Sequence, residues 1–210
     1  MTTVAGHQSA KAIVDRVDPS LSAAESLAVR AVAHHETKYG KAWKEGQGKG
    51  SNNMGAIMTG QSEAECTGFS HPDSNPDGPF TGCFRIYESE DAGFKDLIRV
   101  LLKSNVKGSA SNGDLRGIAR GMFDNHYYTG TSKDDETNVT RYHDALRRSL
   151  DEILAATGEK DPFKQKAVSS RGLGRALTVA SLLAIVGYGA YYILVPRPGT
   201  RRVLRPGESK

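Results

Sequence analysis

The chain is poor in the signatures of the commonest catalytic and metal-binding designs. It has two cysteines, one tryptophan and six histidines in 210 residues, and no C-x-x-C spacing of the kind that holds a metal. His35-Glu36-Thr37-Lys38-Tyr39 places tyrosine where the helical zinc motif H-E-x-x-H needs its second ligand. Adjacent residues such as His34 and His35 point about 100° apart on a helix and do not share a metal easily. No G-x-S-x-G elbow surrounds Ser51, and Gly46, Gly48 and Gly50 complete neither a Walker loop nor a dinucleotide fingerprint. The expectation is therefore an activity with no metal and no cofactor. A net charge of +4 comes without a lysine-arginine block interleaved with aromatics in the body, which argues against nucleic acid as a partner. The N-terminus, MTTVAGHQSAKAIVDRV, lacks the charged segment and apolar core of a secretory signal.

Charge is missing altogether between Arg175 and Arg197. From Ala176 to Val195 this run has the roughly twenty apolar residues that a bilayer demands. Arg171 and Arg175 flank one side, and Arg197, Arg201, Arg202 and Arg205 the other; Tyr188, Tyr191 and Tyr192 suit an interfacial belt. The expectation is a single-pass membrane protein, and the dense arginine cluster after the span favours a cytoplasmic tail with the body on the extracytoplasmic side. The chain then divides into an N-terminal arm (1–17), a globular domain (18–158), a basic linker (159–175), the transmembrane helix (176–195) and a basic tail (196–210).

The globular domain is organised around Ser22 to Ile57. Asp18-Pro19 offers a cap and a first-turn proline, and Ser22-x-x-Glu25 matches a capping box. Ala24, Leu27, Ala28, Ala31, Val32 and His35 recur at helical spacing, which predicts one buried face, and Gly40 is a natural stop. Glu36 falls in the last turn. The negative end of the helix dipole and apolar neighbours both disfavour its charge, raising its pKa toward what a general acid needs near neutral pH. A glycine-rich loop with Trp43 as its only large anchor follows, then the turn Ser51 to Ile57.

Thr59 to Thr81 is turn-rich and predicts short strands or a flap. Cys66 and Cys83 flank this loop; an oxidising compartment would close a bridge between them, and a reducing one would leave both as thiols. A capping box at Ser89 opens an amphipathic helix to about Lys103. Further helices are predicted over Leu115 to Phe123 and from about Asn138 to Thr157, with an aromatic turn, His126 to Gly130, between them. Mostly α within an α+β class is the expected architecture.

One acid at a helix end, a mobile loop, two asparagines and several tyrosines suit a polar polymer such as a glycan. AVAHHETKYG, SNNMGAI and CFRIYESEDAGFKDLIRVL, in that order, resemble the lysozyme-like peptidoglycan hydrolases, most closely the flagellar-type glucosaminidases. That family runs as a helix ending Glu-(Ser/Thr)-x-aromatic-Gly, an Asn-Asn turn, and Phe-Arg-x-Tyr-x-Ser before an amphipathic helix. YYTG and NVTRYHDALRRSL resemble its closing tyrosine-bearing segment, so the resemblance spans roughly residues 20–154. It implies a lysozyme-like domain with a small turn-rich lobe, acting on the peptidoglycan glycan strand. Glu36 would be the general acid, Asn52 and Asn53 would line the cleft floor, and Tyr127 or Tyr128 would be the cleft tyrosine. Two departures stand out. Met54 replaces the aromatic before the turn's glycine, and the lobe that would carry a second carboxylate is replaced by the Cys66–Cys83 insertion. Glu63, Glu65, Asp73 and Asp77 are the candidates there, with Glu65 preferred. Hydrolysis with two carboxylates and the single-acid chemistry of lytic transglycosylases are both compatible with this set. The expected setting is a phage particle or an envelope-crossing secretion or assembly complex. The competing expectation is a non-catalytic wall-binding or structural membrane protein that keeps the fold.

Overall fold

The computed structural model describes residues 2–44, 48–128 and 130–164; the linker, transmembrane span and tail expected beyond them lie outside the described residues. The described part is a mostly helical α+β domain with one small sheet. Its elements are α1 (Val4–Val17), α2 (Ala23–Thr37), a 3-10 turn (Glu63–Glu65), β1 (Phe69–Asn75), β2 (Gly78–Phe84), α3 (Glu90–Leu101), α4 (Ser104–Ser111), α5 (Leu115–Asp124) and α6 (Asp135–Thr157). Among the described residues no helix is long and apolar enough to cross a membrane.

The central element is α2, which packs against α1, α3, α4 and α6. Its start is the capping box: the Ser22 hydroxyl accepts from the Glu25 amide while the Glu25 carboxylate accepts from the Ser22 amide. Asp18 takes another place, ending α1 rather than opening α2. The single buried face expected of α2 is replaced by burial on all sides from Glu25 to His34. A helix surrounded by neighbours has no solvent stripe, so polar side chains inside it need dedicated partners. Arg30, completely buried, finds one in Glu159, with Nη1 and Nη2 at 2.8 and 2.7 Å from its two oxygens. His34 contacts Thr2 through Nε2 at 3.1 Å.

Those partners redraw the domain's limits. Residues 1–17 are not an arm: α1 is a packed helix that buries His7, Ala10, Ile13 and Val14 against α2, α3 and α6. The first residues assigned to the linker are also part of the body. Phe163 is buried in the core, and Asp161 accepts from Arg147 at 2.7 Å.

The second lobe is the antiparallel hairpin β1–β2, paired from Phe69↔Phe84 to Asn75↔Gly78 around the two-residue turn Pro76-Asp77. Cross-strand partners share a face, so Phe69, His71, Asp73, Phe80 and Phe84 point the same way. Trp43 meets Phe69, His71 and Phe84 on that face, with ring centroids at 5.2, 5.2 and 5.7 Å. A Cys66–Cys83 disulfide fastens the 3-10 turn segment to the root of β2. The flap expected from the turn-rich stretch is thus a stapled hairpin whose root rests on the one tryptophan.

Candidate active site

The site begins where α2 stops. Lys38 and Tyr39 adopt left-handed φ angles of 51° and 59°, so the helix breaks off sharply after Thr37. The chain returns through the turn Ser51–Ile57 directly beneath that end. Thr37 joins the two: its buried hydroxyl donates to the Met54 carbonyl at 2.9 Å and accepts from the Gly40 amide at 2.8 Å. The threonine after the acid therefore fixes the floor of the site to the last turn of the helix.

Asn52 and Asn53 build this turn, and for Asn53 that role replaces the ligand binding expected of it. Asn53 is fully buried. Its amide nitrogen donates to the carbonyls of Ile57 and Arg85 at 2.9 and 3.1 Å, and its oxygen accepts from the Ile57 amide at 2.8 Å. A side chain so enclosed and so fully bonded meets no substrate. Asn52 holds a left-handed φ of 52°, which asparagine tolerates better than most residues, and donates to the Tyr87 carbonyl at 2.9 Å. Gly55 has to be glycine here: a Cβ would come within 2.6 Å of both Leu97 and the Tyr127 hydroxyl. Tyr127 donates that hydroxyl to the Gly55 carbonyl at 2.5 Å, so it clamps the turn. Met54, in place of an aromatic, fills the core below.

Glu36 stands above this floor, partly buried in the last turn of α2. The Tyr142 hydroxyl donates to its Oε1 at 2.5 Å, and His35 lies edge-on to the Tyr142 ring at 5.2 Å. Burial pushes the Glu36 carboxyl up to about 7, the Tyr142 hydrogen bond draws it back, and the negative charge of Asp73 pushes it up further. Near pH 7 the group is thus divided between acid and carboxylate, the state in which a carboxylic acid can both give and regain a proton. His34 and His35 leave the helix in different directions, toward Thr2 and toward Tyr142 respectively. Burial lowers both to about 4, so they are neutral at pH 7.

Of the candidate carboxylates, Asp73 is the one whose negative charge raises the Glu36 pKa. It shares the hairpin face of His71, the face on which Trp43 packs, and its charge is felt at Glu36. Glu65, preferred from sequence, lies on the exposed 3-10 turn, where it accepts from the Ser62 hydroxyl at 2.8 Å. No influence of Glu63, Glu65 or Asp77 on Glu36 is evident among the described residues.

Tyr128 extends the site sideways. Its ring stacks on Tyr142 at 3.9 Å and 10°, its hydroxyl donates to the Ala119 carbonyl at 3.0 Å, and it lines a cleft of about 510 Å3. Helical periodicity by itself puts Tyr142 only on the apolar side of α6, with Leu146 and Leu150. Its hydroxyl is the signal that could have singled it out, since a buried tyrosine hydroxyl needs a partner. Among the described residues no group of three or more His, Cys, Asp or Glu side chains converges as a metal site.

No protein family's sequence profile and no curated protein matches the chain. Among solved structures it is similar to a peptidoglycan hydrolase from Sphingomonas sp. A1, at 18% identity over 72% of this chain and 92% of that chain, with a TM-score of 0.47. It is similar also to a mutant peptidoglycan hydrolase from the same source, at 20% identity over 69% of this chain and 98% of that one, with a TM-score of 0.43.

Proposed function

We propose that the chain is a lysozyme-like glycosidase that cleaves the glycan strand of peptidoglycan, with Glu36 as general acid. The observation that carries the reading is a partly buried acid in the last turn of a helix, held by the Tyr142 hydroxyl, whose pKa of about 7 follows from burial and from the charge of Asp73. In the reaction Glu36 gives its proton to the glycosidic oxygen as the bond to the anomeric carbon breaks. Asp73, on the opposing hairpin, stabilises the positive charge that develops on the sugar and accepts the proton of the water that adds there. Tyr142 aims the Glu36 carboxyl and supports it once it has become a carboxylate. The polymer is inferred from the order of motifs in the sequence, and the bilayer anchor from the uncharged run between Arg175 and Arg197. The Cys66–Cys83 bond suits an oxidising, extracytoplasmic setting. A wall-cutting domain tethered to a membrane fits a phage particle or an envelope-crossing assembly.

The test is release of soluble fragments from purified wall sacculi, with their ends identified by mass spectrometry. Glu36→Gln should lower release by about a hundredfold or more, the usual contribution of a general acid, while sacculus binding persists. Full activity in that variant would end the assignment. Binding without release by the unaltered protein would instead favour a wall-docking module.

A further inference from the structure

The cleft that Tyr128 lines is a pocket that bond cleavage alone does not require. One wall is the hairpin tip, Asn75 to Asp77; the others come from the end of α5, the connection that follows it, and the start of α6. Tyr128 is the wall it shares with the acid, because that ring stacks on Tyr142 and Tyr142 holds Glu36. The pocket therefore lies two side chains from the reacting bond.

Its lining carries charge of both signs. His126, Lys133, Asp77 and Asp135 all line it, all are exposed, and none makes a side-chain hydrogen bond or ion pair with another described residue. Unpaired groups of both signs gathered in one concavity add little to the stability of the fold. They match a ligand that itself carries both signs. An N-acetylated glycan strand has no such charges, whereas the peptide stem attached to it in peptidoglycan has carboxylates and, on its diamino acid, a free ammonium group.

We infer that this pocket seats the peptide stem next to the cleaved bond, with Lys133 and His126 meeting its carboxylates and Asp77 and Asp135 its ammonium. The inference deepens the proposed function and rests on it for the choice of polymer. It makes the protein a reader of peptide-bearing wall rather than of any N-acetylated glycan.

The test is calorimetric binding to the full-length Glu36→Gln protein in detergent, which reads recognition without turnover. One probe is a disaccharide-tetrapeptide from peptidoglycan; the other is an uncharged N-acetylglucosamine tetrasaccharide. Lys133→Glu and Asp77→Lys should each weaken the peptide-bearing probe by about fivefold or more, and less so at high salt. Affinity for the uncharged probe should move by less than about twofold. Equal weakening of both probes, or of neither, overturns the inference. If the unaltered protein frees no fragments from sacculi and yet the charge-dependent discrimination is present, the glycosidase reading falls and the stem pocket stands.

Discussion

Replacing Glu36 by glutamine separates the charge of the acid from its shape, and stability responds to that as well as activity. In the unfolded chain a glutamate gives up its proton near 4.5, and in the folded protein Glu36 does so at about 7. The folded state thus binds this proton more tightly. The stability it contributes is fully present below pH 4.5 and is lost as pH rises through about 7. The gap corresponds to roughly 3 kcal/mol, and partial exposure of the side chain reduces that to about 2 kcal/mol. Glutamine does not titrate and can still accept the Tyr142 hydroxyl. Relative to the unaltered protein, Glu36→Gln should therefore gain stability on going from about pH 4 to about pH 8.5. For a body of this size, about 2 kcal/mol appears as an extra 4–8 °C in Tm, approximately. Thermal melts of the two proteins, followed by circular dichroism across that range, measure it directly. A constant difference at every pH, or one that shrinks on the alkaline side, would mean that Glu36 titrates as a solvated carboxylate, and the case for an acid poised near neutrality would fail.

Three further outcomes follow from the same geometry. Tyr142→Phe removes the donor that favours the carboxylate, so the alkaline limb of the kcat/KM profile should move up by about one pH unit; an unmoved limb would leave Tyr142 without a tuning role. Asp73→Asn takes away the charge that raises Glu36, so the limb should move down while turnover falls about a hundredfold, whereas Glu65→Gln should change neither; the reverse pattern in pH–rate profiles would exchange the two carboxylates. Breaking the Cys66–Cys83 bond, which closes a loop with a sequence separation of 17, should cost about 3 kcal/mol. Urea unfolding with and without reductant tests this, and identical midpoints would refute it.

How much of this was legible depended on whether a feature was local. Ser22 with Glu25 is decided within one helical turn and is legible directly from the sequence. The hairpin was foreseen from its turn residues, but the face on which Asp73 lies follows only from the strand register. Without that register, Glu65 beside the cysteine is the preferred candidate. The helix α4 is not legible because SNVKGSAS has almost no apolar period; Val106 and Ala110 bury their side chains there. The amphipathic reading of α2 failed for a non-local reason. Arg30 is tolerated inside because of a glutamate 129 residues away. The acid's position was readable, but its orienting partner was not, since Tyr142 is 106 residues distant in the chain. Asn53 shows the opposite case, a polar residue of a family motif expected at a ligand and found buried as bracing.

The Arg30–Glu159 pair has a mechanical consequence. Tension arriving along the chain from beyond Lys164 first meets Phe163, seated in the core, then Asp161 on Arg147, and then Glu159 on Arg30. Arg30 belongs to the same helix as Glu36, less than two turns before it. A pull applied at Lys164 would therefore reach the helix that carries the acid, whereas the hairpin bearing Asp73 is coupled to the body through other contacts. The separation of Glu36 and Asp73 is the coordinate along which such a load would be felt.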